Sequence, residues 1–261
     1  MPELHVVSWQ DHGAKRWLKP FSYAFAAGDQ LVALGLAEVP RAAMVLPLAF
    51  AKSGGSYLPV AVLGFKQGHN LVVSADGRWL PDYVPLFFRS HPFRLARNAD
   101  GNFVLCVIGD SGLITDGPAG NRFYDDERKP TPETSAIGTA LLQLENDKAS
   151  MLKATAILAE HDAIEPWPFR VQEAEGIKTY ENVYRVNESK LNQLPADALA
   201  ALRNSGGLVL AYAQLLSMQH LPQLAAAAPR SAWGQQNPEP VRRVAALNIV
   251  DDNGTLSFAH L

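Results

Sequence analysis

Cysteine is almost missing from this chain: Cys106 is the single thiol in 261 residues. One thiol closes no internal disulfide and builds no cysteine-based zinc site. That economy fits a reducing compartment, and a cytoplasmic location is expected. Long hydrophobic runs are missing too. The most apolar long stretch, residues 31–51, is broken by Glu38, Pro40, Arg41 and Pro47. A membrane helix needs about 20 mostly apolar residues in a row, so no transmembrane segment is expected. There is no excess of positive charge: 23 Lys and Arg stand against 26 Asp and Glu, for a formal net charge of -3. Nucleic acid therefore loses its electrostatic support as a partner, and so does an anionic membrane surface. The start, Met1-Pro2-Glu3-Leu4-His5, lacks the basic end and apolar core of a secretory signal. Internal repeats and heptad arrays are absent as well.

What remains is an ordinary globular composition, 48% hydrophobic, enough for a sizeable core. Short apolar runs at residues 31–35, 48–51, 57–65 and 70–74 read as strands, with a turn at Asp76-Gly77. Residues 93–97 and 103–108 read as a hairpin, the second being apolar on both faces and hence central. Short helices are expected at 40–44 and 82–88. After Lys129 the texture changes. Thr131-Pro132-Glu133 is a helix start, and Ile137, Leu141, Leu144, Met151, Leu152, Thr155 and Leu158 follow at helical spacing, up to Glu160–Asp162. A second hairpin is expected from 169–172 and 180–186 across Glu175-Gly176. A helix opened by Pro195 and ending near Gly206 comes next, followed by a helix over 208–218 that is apolar almost all round and so reads as buried. Residues 225–240 read as a linker and 244–258 as a terminal hairpin. The fold class is α+β, with one domain over 1–261: a β-rich part (1–130), a mainly helical part (131–224), then the linker and hairpin (225–261).

Motifs that carry chemistry are sparse. Val107-Ile108-Gly109-Asp110-Ser111-Gly112 is similar to the nucleophile turn of GDSL-type esterases and to the Gly-Asp-Ser-Gly of trypsin-like proteases. The late Asp-x-x-His of the former is missing, and no His and Asp stand in the surroundings that the latter need. A serine with no base beside it is a turn residue. The seven histidines are scattered, with no His-Glu-x-x-His and no facial triad, so no metal site is expected. Cys106 sits in an apolar strand, where thiols are inert. Gly54-Gly55 marks a hairpin rather than a phosphate loop, and no cofactor is implied.

One segment is denser in polar and aromatic groups: Asp76-Gly77-Arg78-Trp79-Leu80-Pro81-Asp82-Tyr83-Val84-Pro85, then Phe87-Phe88-Arg89-Ser90-His91-Pro92-Phe93. It has two readings. It lines a pocket, with Arg78, Arg89 and Tyr83 making polar contacts, Trp79 packing and His91 nearby. Or it packs a strand–turn–helix joint, with Asp82 pairing Arg78 or Arg89. Tyr184 and Arg185 carry the same two readings.

The same segments resemble the bacterial SapC-like family. The matching blocks are Glu38-Val39-Pro40-Arg41-Ala42-Ala43, Leu58-Pro59-Val60-Ala61-Val62-Leu63-Gly64, and above all Asn70-Leu71-Val72-Val73-Ser74-Ala75-Asp76-Gly77-Arg78-Trp79, which continues through Asp82-Tyr83-Val84-Pro85 to Arg89 and Pro92-Phe93. Later blocks are Glu165-Pro166-Trp167, Tyr184-Arg185-Val186-Asn187-Glu188 and the run from Gly206 to Leu216-Ser217, so that the resemblance covers roughly 22–220. Two departures are visible: Val45-Leu46 replaces an acidic-aromatic pair, and Asn187 stands where the family commonly has aspartate. The resemblance implies an association with bacterial surface layers, from which the family is named. It also implies a gene setting with flavin-dependent tryptophan halogenases, cupin-like proteins and TonB-dependent receptors. It supplies no catalytic residues. The permease label that some members carry conflicts with the missing membrane helices.

Three functions follow as expectations. The first is an accessory protein that binds a small molecule, amino acid or peptide, with a protein partner such as a halogenase. The second is an enzyme with an unmarked active site, using His91 or His161. The third is a surface-layer component.

Overall fold

The computed structural model describes residues 3–173, 176–181 and 183–227. The chain begins with β1 (Leu4–Val6), the single turn α1 (Trp9–His12) and β2 (Arg16–Trp17). Next come β3 (Leu31–Ala33), α2 (Val39–Ala43), β4 (Leu48–Ser53) and β5 (Ser56–Val62). The short α3 (Leu86–Arg89) leads into β6 (Phe93–Arg97), β7 (Phe103–Ile108), β8 (Ile114–Thr115) and β9 (Asn121–Arg122). The second half holds α4 (Pro132–Glu160), β10 (Ile164–Pro166), β11 (Phe169–Glu173), β12 (Gly176–Tyr180), β13 (Val183–Val186), α5 (Glu188–Asn192), α6 (Ala196–Ser205), α7 (Gly207–Ser217) and α8 (Leu221–Ala227). The fold is α+β.

Two sheets organise it. The larger is antiparallel, in the order β10-β13-β4-β5-β3. Its β4–β5 hairpin turns at Gly54 (φ 52) and Gly55 (φ 82), the pair of positive φ values that a two-residue hairpin turn requires. The smaller sheet is β1-β7-β6, with the apolar β7 in the centre as its sequence predicts.

Helix α4 joins the two regions. Thr131 caps it through Oγ1, which accepts from the Thr134 N–H, and Pro132 fills the first position. Its 29 residues span about 43 Å. Near its start, Leu141 packs in a small core with Trp17, Phe93, Val107 and Phe123. Further on, Met151, Ala154 and Leu158 enter the large core with Phe50, Val60 and Leu63. At the far side, α6 ends in Gly206 at φ 75, a left-handed cap that glycine adopts without strain.

Helix α7 closes the larger sheet. The pairing of Val183 with Ala51 and Tyr184 with Phe50, carried forward, sets Val186 opposite Leu48. Those two backbones are bridged by a side chain instead. Gln214 Oε1 accepts from Val186 N–H at 2.9 Å, and its Nε2 donates to the Leu48 carbonyl at 3.1 Å. Ser217 Oγ accepts from Leu48 N–H at 2.9 Å.

Several expectations are corrected. Residues 70–74 form no strand, only a bridge between Val73 and Trp79. Asn70 diverts the backbone, because Oδ1 accepts from Val72 N–H and Nδ2 donates to the Ala26 carbonyl, both at 2.9 Å. The apolar run there reflects burial, not a ladder. The helix expected at 82–88 is only α3, which starts after Pro85, since a proline disfavours helix in the residue before it. The hairpin partner of β11 is β12, while β13 joins the large sheet, so strands from both halves build one sheet. Helix α7 is not buried all round: Val209, Tyr212 and Leu216 are exposed. Residues 225–227, read as linker, belong to α8. The rest of the expected linker and the terminal hairpin at 244–258 lie outside the described residues. No helix of the described residues is long and apolar enough to cross a membrane.

Candidate functional site

A cleft of about 430 Å³ opens where the two regions meet. Trp17, Lys19 and Tyr23 line one side, Leu86, Arg89 and His91 another, and Ala136, Ile137 and Ala140 of α4 a third. Each wall is fixed from behind. Trp17 stands edge-on to Phe93, with 5.1 Å between ring centroids, and its Nε1 donates to Thr134 Oγ1 at 3.2 Å. Tyr23 is tied through its N–H to the Gly77 carbonyl at 2.7 Å and stands against Trp79. His91 stacks on Phe25 at 3.9 Å. The turn carrying Arg89 and His91 is clamped by Arg94, whose Nη1 donates to the carbonyls of Phe87 (3.2 Å) and Phe93 (2.7 Å) while its guanidinium lies over the Phe87 ring.

Behind the cleft, three buried polar atoms have no hydrogen-bond partner among the described residues: Asp29 Oδ2, His91 Nδ1 and Arg94 Nη2. Burial, with Arg94's charge second, holds the His91 imidazole down to about 3, so it is neutral at ordinary pH. Burial pushes the Asp29 carboxyl up to about 7 against the pull of Arg94. The Arg94 guanidinium is lowered to about 10 by the same burial, with Asp29 opposing, and stays charged.

The predicted site residues separate. Arg89 and His91 line the cleft; Arg78 and Trp79 do not. Trp79 is buried, donating Nε1 to the Tyr83 carbonyl at 2.8 Å. Arg78 is exposed, and Asp82 pairs with neither Arg78 nor Arg89 among the described residues. The Tyr83 hydroxyl donates to Glu38 Oε1 at 2.6 Å, and burial together with Glu38 raises its pKa. Glu38 also accepts from Leu86 N–H (2.6 Å) and Gly35 N–H (3.0 Å). One buried carboxylate thus ties the start of α2 to the segment that carries α3. Tyr184 stands edge-on to Tyr57 on the large sheet, 5.0 Å between centroids. Arg185 grips Glu165 with Nε at 2.8 Å and Nη2 at 2.7 Å. Asn187 donates to the other Glu165 oxygen at 2.7 Å, which an aspartate there could not do.

The remaining catalytic expectations find no support in the geometry. His161 caps the far end of α4, about 30 Å along the helix from the part that lines the cleft, so it shares no site with His91. Ser111 Oγ accepts from Leu113 N–H at 3.3 Å, as a turn serine does. Cys106 is buried, and burial pushes its thiol up. Among the described residues, no three His, Cys, Asp or Glu side chains are grouped to hold a metal ion.

A family model described as SapC matches residues 7–224. The chain belongs to the SapC family. No curated protein and no solved structure matches it. The SapC match begins earlier than the resemblance drawn from 22 onward, and every residue lining the cleft falls inside it. Sequence reading missed Trp17, Lys19 and Tyr23. A signal was there: the run Trp17-Leu18-Lys19-Pro20-Phe21-Ser22-Tyr23 mixes aromatics with a cation much as 76–93 does. Ile137 of this SapC-family chain carried no such signal, because it reads as one more apolar helix residue.

Proposed function

We propose that this chain is a binding protein for a small molecule, amino acid or peptide, received in the cleft between the Trp17–Tyr23 segment, the α3 turn and the start of α4. One observation carries the reading. Arg89 and Lys19 border an apolar-walled cleft beside the buried His91, and neither cation forms an ion pair among the described residues. Sites of this size with a few convergent polar groups are the usual form of small-molecule pockets. Trp79 and Tyr83 support the walls in this reading rather than touching the ligand, and Arg78 stands outside the cleft. Tyr184 and Arg185 stay with the large sheet.

The test is thermal denaturation against a panel of amino acids, dipeptides and simple carboxylic acids. A ligand present at about a hundred times its dissociation constant stabilises by about 2.7 kcal/mol, enough to raise Tm by several degrees. Arg89→Ala is expected to abolish that rise while leaving the unliganded Tm unchanged, since the side chain is exposed. An unliganded variant that unfolds early makes Arg89 structural and removes the proposal's main support. A protein partner such as a halogenase, and a cytoplasmic location, belong to the same reading; co-purification from the native cell addresses both. The surface-layer reading rests on the family name, and recovery of the protein from the cytosol alone would end it.

A further inference from the structure

We infer that the cleft selects an organic anion: a monocarboxylic acid whose carboxylate lies between Arg89 and Lys19 and whose apolar body lies against Trp17, Tyr23, Leu86 and Ile137. This rests on the binding reading above and adds the ligand's charge and polarity.

The lining is one-sided in charge. Lys19 and Arg89 are cationic, His91 is buried and neutral, and no aspartate or glutamate is among the lining residues. A guanidinium pairs with a carboxylate through two parallel N–H donors, and Lys19 adds a point charge. The Arg89 charge also acts on the Tyr23 hydroxyl, which belongs to the wall that carries Lys19. Beyond this rim the walls are apolar, supplied by Trp17, Leu86 and by Ala136, Ile137 and Ala140 of α4. A second charge on the ligand would lie against these groups and lose its hydration without a partner. An ammonium group has no carboxylate to meet. The cleft therefore discriminates against amines, and it favours a simple acid over the zwitterion of a free amino acid. Because both cations are exposed, the selection is screened by salt.

Isosteres that differ only in charge test this on the full chain. Calorimetric titration uses 3-phenylpropanoate, 3-phenylpropanamide, 3-phenylpropylamine and phenylalanine. The acid is expected to bind, the amide about tenfold more weakly, and the amine not at all. Raising NaCl from about 20 to about 200 mM weakens the acid and not the amide. Arg89→Ala and Lys19→Ala each lower affinity for the acid by about tenfold and leave the amide unchanged; Arg89→Lys retains part of the preference. An amide or amine that binds as tightly as the acid overturns the charge inference while the cleft remains a binding site. Failure of all four probes to bind at millimolar concentration also overturns it, and the broader binding reading is then judged by the amino-acid and dipeptide panel alone.

Discussion

In the larger sheet, polar groups removed from water meet protein partners. Gln214 is wholly buried and bridges two strands. Thr155 donates to the Tyr57 carbonyl at 2.8 Å, and Ser217 Oγ accepts from Leu48 N–H at 2.9 Å. Along the boundary with the three-stranded sheet the pattern reverses. Asp29, just before β3, His91, just before β6, and Arg94, within it, each keep a buried atom without a hydrogen-bond partner among the described residues. A buried orphan costs about 1–3 kcal/mol. A fold that spends hydrogen bonds so fully on one side and leaves three atoms unsatisfied on the other is not governed by stability alone at the second place, and it is there that the cleft opens. Departures from local consistency are expected to gather at functional sites.

Replacing a partnered group is the hardest blow to this contrast. Gln214→Leu fills the same space but strips a donor and an acceptor from buried backbone at Val186 and Leu48. The expected loss is about 3 kcal/mol, seen as a lower urea midpoint with an unchanged slope. A variant as stable as the parent would mean that β13 and β4 close their ladder without the amide, and the two regions would no longer differ in kind.

The boundary is sharpened by pH. Asp29 titrates at about 7 in the folded chain against an ordinary 3.8, with burial as the cause and Arg94 opposing. Between those values the folded state keeps a proton that the unfolded chain has released, so stability falls as pH rises through the window. Asp29→Asn has no such proton. Its Tm relative to the parent is expected to climb from pH 4 to pH 8, by several degrees at the upper end. A constant difference across that range would place the carboxylate in contact with water or with an unsuspected partner.

Much of this architecture was legible in the residues. Thr131-Pro132 announced α4, the apolar 103–108 run announced a central strand, and Gly206 announced the end of α6. The strand read at 70–74 failed because burial on both faces looks the same in sequence whether the backbone pairs with a neighbour or is held by Asn70. The buried face of α7 was over-read for a related reason. Val209, Tyr212 and Leu216 are apolar yet exposed, and composition does not tell the two faces of such a helix apart. Of the residues that line the candidate cleft, the sequence singled out Arg89 and His91 by their chemistry. Trp79 and Tyr83 stood out equally but support the walls from behind. Lys19, Tyr23 and Ile137 are brought to the cleft by tertiary packing, which spacing along the chain does not encode.

The smallest effect is the most discriminating. His91→Phe keeps an aromatic ring against Phe25 and removes both ring nitrogens, of which Nδ1 has no hydrogen-bond partner among the described residues. Losing an unsatisfied polar atom costs nothing in hydrogen bonding, so at pH 7 stability is expected to change by less than about 1 kcal/mol, in contrast to Gln214→Leu. The pH dependence then runs opposite to that of Asp29. The parent imidazole is depressed to about 3, below its ordinary 6.5, so the unfolded chain takes up a proton first and stability falls as pH drops through that window. The phenylalanine variant escapes this penalty, and its advantage should grow from pH 6.5 toward pH 4 in paired thermal melts. If instead the variant is several degrees less stable at neutral pH, the His91 nitrogens hold a structural partner, and the boundary is as well satisfied as the sheet beside it.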